Sequence, residues 1–164
     1  MKTWIQTTLV AATFFGAAAH AQNVAVTDTW ARATVQGQKA TGAFMKLTAK
    51  DGAKLIGASS PVAGVTEIHE MKMDKDVMKM SAIGALNLPA GQAVELKPGG
   101  YHVMLMDLKQ PLAKDSTVPL TLQFQDAKGN KSQLEIKVPV LLQAPNTPAG
   151  GGMPAAHMHG DHKH

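Results

Sequence analysis

From residue 24 onward the chain is cut at short intervals by turn signals: Lys50-Asp51-Gly52, Pro89-Ala90-Gly91, Pro98-Gly99-Gly100 and Lys128-Gly129-Asn130. Glycine reaches the positive φ values that tight turns need, and proline presets φ while removing a backbone donor, so a long helix cannot run through these points. The segments between them are short and rich in Val, Leu, Ile and Thr, and many alternate apolar with polar residues. This pattern predicts strands over residues 24–32, 42–50, 54–62, 65–73, 77–83, 92–98, 101–109, 118–127 and 132–141. No segment carries a convincing helical period, and no internal repeat is present. The expected fold is all-β, an antiparallel sandwich or barrel of about nine short strands.

The two ends of the chain do not fit that pattern. Residues 1–21 read as a cleaved signal peptide: Lys2, an apolar run from about Thr8 to Ala18, then the small-x-small site Ala19-His20-Ala21. The alternative, a membrane helix, would need a longer run to cross a hydrocarbon layer of ~30 Å. No Cys follows the cleavage site, so this reading excludes a lipoprotein anchor, and no other segment is apolar enough for a membrane span. Beyond Leu142, Pro, Gly, Ala and His dominate, a composition that cannot bury enough apolar surface to fold alone. The expected organisation is a signal peptide over 1–21, a β-domain over 22–142, and a flexible linker with a His/Met-rich tail over 143–164. Export would carry the domain out of the cytoplasm.

Composition narrows the chemistry. There is no cysteine in 164 residues, which removes disulfides, thiol catalysis, thiolate metal sites and any blue-copper centre. The formal charge is only +4, and aromatic residues make up 4%. After the signal peptide Arg32 is the sole Arg and the Lys residues are scattered, which argues against a nucleic-acid partner. No Gly-x-Ser-x-Gly and no phosphate-binding Gly loop occurs, so the chain is not expected to be an enzyme.

The unusual feature is HEMKMDKDVMKM, residues 69–80, where one His and four Met sit among charged residues. Asp74-Lys75-Asp76 reads as a hairpin turn. Ile68 has core parity, which puts His69, Met71 and Met73 on the opposite face with Glu67. A second His-x-Met occurs at His102-Val103-Met104; there both strand faces are largely apolar, so His102, Met104 and Met106 can also be read as core. Thioether sulfur is soft and uncharged, and together with imidazole it suits Cu(I). Zinc would prefer Cys, His and carboxylate, and calcium would need clustered oxygens.

His69, ten residues, Met80, twenty-one residues, His102, one residue and Met104: this spacing resembles the motif of the periplasmic copper chaperones of the PCuAC family. LKPGGYHVMLMDLKQPL (96–112), Trp30-Ala31-Arg32 and Gly42-Ala43-Phe44-Met45 are similar to that family as well, and the resemblance spans roughly residues 24–140. It implies a cupredoxin-like Greek-key β-barrel. It implies Cu(I) held by His69, Met80, His102 and Met104, with Met71 able to replace one of them. Met73, Met78 and Met106 are not motif positions and read as a Met-rich apolar rim. The implied role is delivery of copper for assembly of cytochrome c oxidase, the partners being its copper-centre subunit and a Sco-like copper protein. A monomer is expected.

The tail supplies a separate expectation. His157, His159, His162 and His164 fall within eight residues, and imidazoles suit Cu(II). Two other functions remain open at this point: a periplasmic copper buffer or resistance protein without a dedicated client, and a structural β-sandwich with incidental metal binding.

Overall fold

A computed structural model describes residues 23–145. The signal peptide expected over 1–21 and the tail histidines 157, 159, 162 and 164 lie outside the described residues. Ten strands form, and no helix appears among the described residues: β1 (Val24–Arg32), β2 (Ala40–Ala49), β3 (Ala53–Ser59), β4 (Ala63–Asp74), β5 (Val77–Ala82), β6 (Leu86–Leu88), β7 (Ala93–Leu96), β8 (His102–Leu108), β9 (Thr117–Asp126) and β10 (Lys131–Leu141). Nine of these match the nine expected segments. The tenth, β6, has only three residues, too few to display an alternating pattern.

The strands run in the order β5-β4-β8-β2-β1-β10-β9-β3-β6, with β7 beside β8 along β2. All neighbours are antiparallel except β1 and β10, whose parallel pairing at Ala31–Val140 and Arg32–Leu141 joins the two halves of the sheet. The halves enclose one core drawn from both: Ala43, Met45, Leu47, Val103 and Leu105 on one side, and Leu55, Leu120, Leu122, Phe124 and Val138 on the other. These are alternate residues of their strands, as a sheet with one buried face requires. The expected all-β, cupredoxin-like fold is therefore the fold of the chain.

Two local features prepare the site. The β4–β5 hairpin turns at Lys75 and Asp76, both with positive φ (48° and 64°), between the paired Asp74 and Val77. This is the backbone of a type I′ turn, whose twist matches that of the flanking strands. It sets the register that pairs Met71 with Met80 and Met73 with Met78. Before β8, Lys97-Pro98-Gly99-Gly100 closes a turn with a hydrogen bond from the Gly100 N–H to the Lys97 carbonyl (3.0 Å). Pro98 and Gly99, at φ +81°, suit the two central positions of a type II turn.

Candidate metal centre

Side chains alternate along β4, so Ile68 enters the core while Glu67, His69, Met71 and Met73 stand on the outer face. The neighbouring strands add to that face. β8 places Met104 opposite Glu67 and His102 opposite His69, and β5 places Met80 opposite Met71 and Met78 opposite Met73. The question left open for β8 is resolved by burial: Val103 and Leu105 are fully buried in the core, so His102, Met104 and Met106 take the outer face.

Although they are on the outer face, both imidazoles are almost inaccessible, 7% exposed at His69 and 6% at His102. A small aromatic cluster on the same face contributes the cover. Trp30 of β1 pairs across the strands with Phe44 of β2, their rings 4.5 Å apart. Phe44 lies 6.2 Å from the His102 ring, and His102 lies 5.7 Å from His69. Gly42 makes this possible: a Cβ there would sit 2.7 Å from Phe44 Cζ, so the Phe44 ring occupies space that any side chain at 42 would need.

The hydrogen bonds of each ring fix its protonation. His102 Nδ1 is 3.1 Å from the Gly100 carbonyl oxygen. A carbonyl can only accept, so Nδ1 carries the proton and Nε2 is left with a bare lone pair. That Nε2 is 3.2 Å from Met80 Sδ. With the proton on Nδ1, the contact is two lone-pair donors facing each other. The same Gly100 carbonyl accepts the Met71 N–H (3.2 Å), so one turn ties the His102 ring to β4. At His69, Nε2 is 2.9 Å from Glu67 Oε2. Its Nδ1 is buried and is the one buried side-chain nitrogen or oxygen among the described residues with no hydrogen-bond partner. Burial lowers the pKa of His102 from its ordinary value; the Gly100 carbonyl opposes the shift and nearby His69 adds to it.

β5 and β8 flank β4, about 10 Å apart at two strand spacings. Met80 and His102 therefore reach toward each other over β4, the strand that also carries His69 and Met71. Met80 is 49% exposed, which leaves the site open on the β5 side. Met71 and Met104 are half-buried on the same face. Met73 and Met78 are exposed further toward the hairpin tip, as a rim would be. Among the described residues no group of three or more His, Cys, Asp or Glu gathers, the donor set that zinc or a hard cation would use. The donors that do gather are imidazole nitrogen and thioether sulfur, which fit a soft, singly charged metal ion.

Glu67, the Gly100 carbonyl, Trp30 and Phe44 received no role from the sequence. Glu67 shares the face of His69 two residues earlier, which is the one signal that points to it. The others depend on pairing between distant strands.

With this geometry in hand, comparison with known proteins gives a consistent result. Residues 24–140 match the LpqE-like family model, whose description names a lipoprotein. A Leifsonia xyli subsp. xyli protein named as a lipoprotein, Lxx21020, is 33% identical over 119 residues, 71% of this chain and 71% of that protein. The fold is similar to the solution structure of Cu(I)-DR1885 from Deinococcus radiodurans, with TM-score 0.55 and 31% identity over 75% of this chain and 83% of that one. It is also similar to the copper-bound PCuAC domain from PmoF2, with TM-score 0.60, covering 74% of this chain and 94% of that one; at 23% identity this is a likeness of fold. The chain belongs to the LpqE-like family, which is the PCuAC family expected from its motif.

Proposed function

We propose that this protein is an extracytoplasmic copper chaperone, a binding and transfer protein, that carries Cu(I) on the outer face of β4 and β8. His69, Met80, His102 and Met104 hold the ion, and Met71 stands close enough along β4 to exchange with one of them. The observation that carries this reading is the 3.2 Å approach of His102 Nε2 to Met80 Sδ, two lone-pair donors with no proton between them. Membership of the PCuAC family supports it, as does the fold shared with the Cu(I)-loaded DR1885 structure.

The handover follows from exposure. Met80 is open to solvent at the sheet edge, so a partner can approach one thioether while the two imidazoles stay covered. Weak, uncharged thioether ligands exchange more readily than thiolates would, which suits cargo rather than a resident cofactor. The client is the copper centre of cytochrome c oxidase, reached with a Sco-like protein. In the periplasm, residues 1–21 act as the leader, 22–142 as the carrier and 143–164 as a tail that takes up Cu(II).

A competition titration with a Cu(I) chelator tests the core site. One tight Cu(I) is expected on the domain, lost in the His102→Ala/Met104→Ala variant; unchanged affinity would overturn the assignment. Metal moving from the loaded protein to an apo oxidase copper domain separates a chaperone from a buffer. Deletion of 157–164 should remove Cu(II) uptake and leave Cu(I) binding intact.

A further inference from the structure

His69 has a carboxylate partner that is not among the copper ligands. Its ring is held from one side only. Nε2 lies 2.9 Å from Glu67 Oε2, and Nδ1 is buried with nothing to bond to. A buried polar atom without a partner is costly, of the order of 1–3 kcal/mol, and structures retain few of them. The ring could avoid that cost only by exposing Nδ1 or by giving it a partner, and it has done neither. His102 is arranged the other way round, with Nδ1 bound to a carbonyl and Nε2 bare.

We propose that Glu67 is a positioning residue for the metal: by accepting the Nε2 proton of His69 it holds that ring, 5.7 Å from the ring of His102, in the tautomer whose buried Nδ1 is bare, so that the ion is taken by Nδ1 of His69 and Nε2 of His102. The inference rests on the copper-site reading and deepens it. A carboxylate behind a metal-bound imidazole fixes the tautomer and makes the ligand nitrogen more basic. Here it also adds a negative charge next to a site whose four motif ligands are neutral. The Gly100 carbonyl does the orienting at His102 but brings no charge, so the two imidazoles are unequal ligands. Glu67 acts through the far nitrogen of His69, 2.9 Å from its Oε2. Its side chain is 45% exposed, so replacing it leaves the core intact.

The test is imidazole nitrogen spectroscopy on the ¹⁵N-labelled full chain, with Cu(I) added anaerobically. In the apo protein His69 is expected to show a protonated Nε2 and a bare Nδ1. Cu(I) should then shift Nδ1 of His69 and Nε2 of His102. Glu67→Ala should turn His69 into a mixture of tautomers and weaken Cu(I) binding by about ten- to a hundredfold, the range for losing such an outer partner. Glu67→Gln, which keeps an accepting oxygen, should recover the tautomer and most of the affinity. A His69 ring protonated on Nδ1 in the apo protein, or Cu(I) bound through its Nε2, overturns the inference and leaves the copper site standing. If Cu(I) shifts neither ring, the site assignment falls and the inference with it.

Discussion

Met80 Sδ meets His102 Nε2 at 3.2 Å although the two residues come from strands that do not touch, β5 and β8, with β4 between them. The contact depends on one sulfur at the end of a long, unbranched side chain that can span the intervening strand. Met80→Leu keeps the volume and removes the donor. Because Met80 is half exposed and Leu fills the same space, the unfolding free energy of the variant should stay within about 1.5 kcal/mol of the parent, as volume-conserving apolar swaps do. Cu(I) affinity in a chelator competition should fall by at least about tenfold, the lower bound for losing even an outer-shell partner. A variant that binds Cu(I) at parental strength would show that Met80 is not a ligand.

Much of this site was legible in the sequence because β-strand parity is a local rule. The alternation around Ile68 placed His69, Met71 and Met73 on one face, and Asp74-Lys75-Asp76 marked the hairpin that returns Met80 to it. Parity failed at residues 102–106, where both faces are apolar, because β8 has the core beneath it and an aromatic cluster above. Trp30 and Phe44 reach His102 through the pairing β1–β2–β8, which no local pattern encodes. The Gly100 carbonyl was hidden for a different reason: a backbone atom leaves no mark in residue type, except through the Pro98-Gly99 turn that aims it.

That turn gives a second prediction. Gly99 has φ +81°, a region that costs an L-residue roughly 1–2 kcal/mol. Gly99→Ala should therefore destabilise the apo domain by about 1 kcal/mol, measured by urea unfolding. The larger effect should be at the metal. If the Gly100 carbonyl swings away, His102 loses the acceptor that keeps its proton on Nδ1, and the bare-Nε2 signal in nitrogen spectra should weaken. Gly100→Ala is the control: a Cβ there meets nothing closer than 3.6 Å and φ is not in the left-handed region, so it should leave both readings in place.

The pH dependence of the apo protein follows from His102. Burial lowers its pKa in the folded state, His69 adds to the shift and the Gly100 carbonyl opposes it. In the unfolded chain the ring titrates near ~6.5. Below that value the unfolded state takes up the proton first, so stability falls as pH drops from ~6.5 toward the folded pKa and levels off beneath it. Above ~6.5 this contribution is complete and flat. Unfolding free energies at pH 7.5 and pH 5 should differ in that direction, and the part due to His102 should vanish in His102→Phe. A parent protein equally stable at both pH values would contradict the burial of a neutral ring.

The hairpin carries strain that can be removed without touching a donor. Lys75 and Asp76 both sit at positive φ, where a type I′ turn prefers Asn followed by Gly. Lys75→Asn/Asp76→Gly should raise stability by about 1 kcal/mol, seen as a higher melting temperature. The register Met71–Met80 should hold, so Cu(I) affinity should be equal or slightly higher. A loss of affinity would mean that the parent turn holds β5 in a position the relaxed turn does not.

Gly42 tests whether the aromatic cover matters to the metal. Its missing side chain is what lets the Phe44 ring lie where a Cβ at 42 would be 2.7 Å from Cζ. Gly42→Ala leaves every proposed ligand in place, and its φ is not one that an alanine resists. The ring of Phe44 must move, which disturbs its tilted contacts with Trp30 and His102. Such aromatic contacts are worth roughly 0.5–1.5 kcal/mol beyond area burial, so a comparable loss of stability is expected. The informative readout is water access to His102. With its cover displaced, the ring should be better solvated, and its pKa should rise back toward ~6.5 as the desolvation that lowers it is relieved. In a chain expressed from Gln22, Trp30 is the one remaining tryptophan, so its indole fluorescence reports the ring movement independently. If the fluorescence changes while the His102 titration does not, the cover is a packing feature of the sheet face; if both change, Trp30 and Phe44 form the dry wall of the metal site.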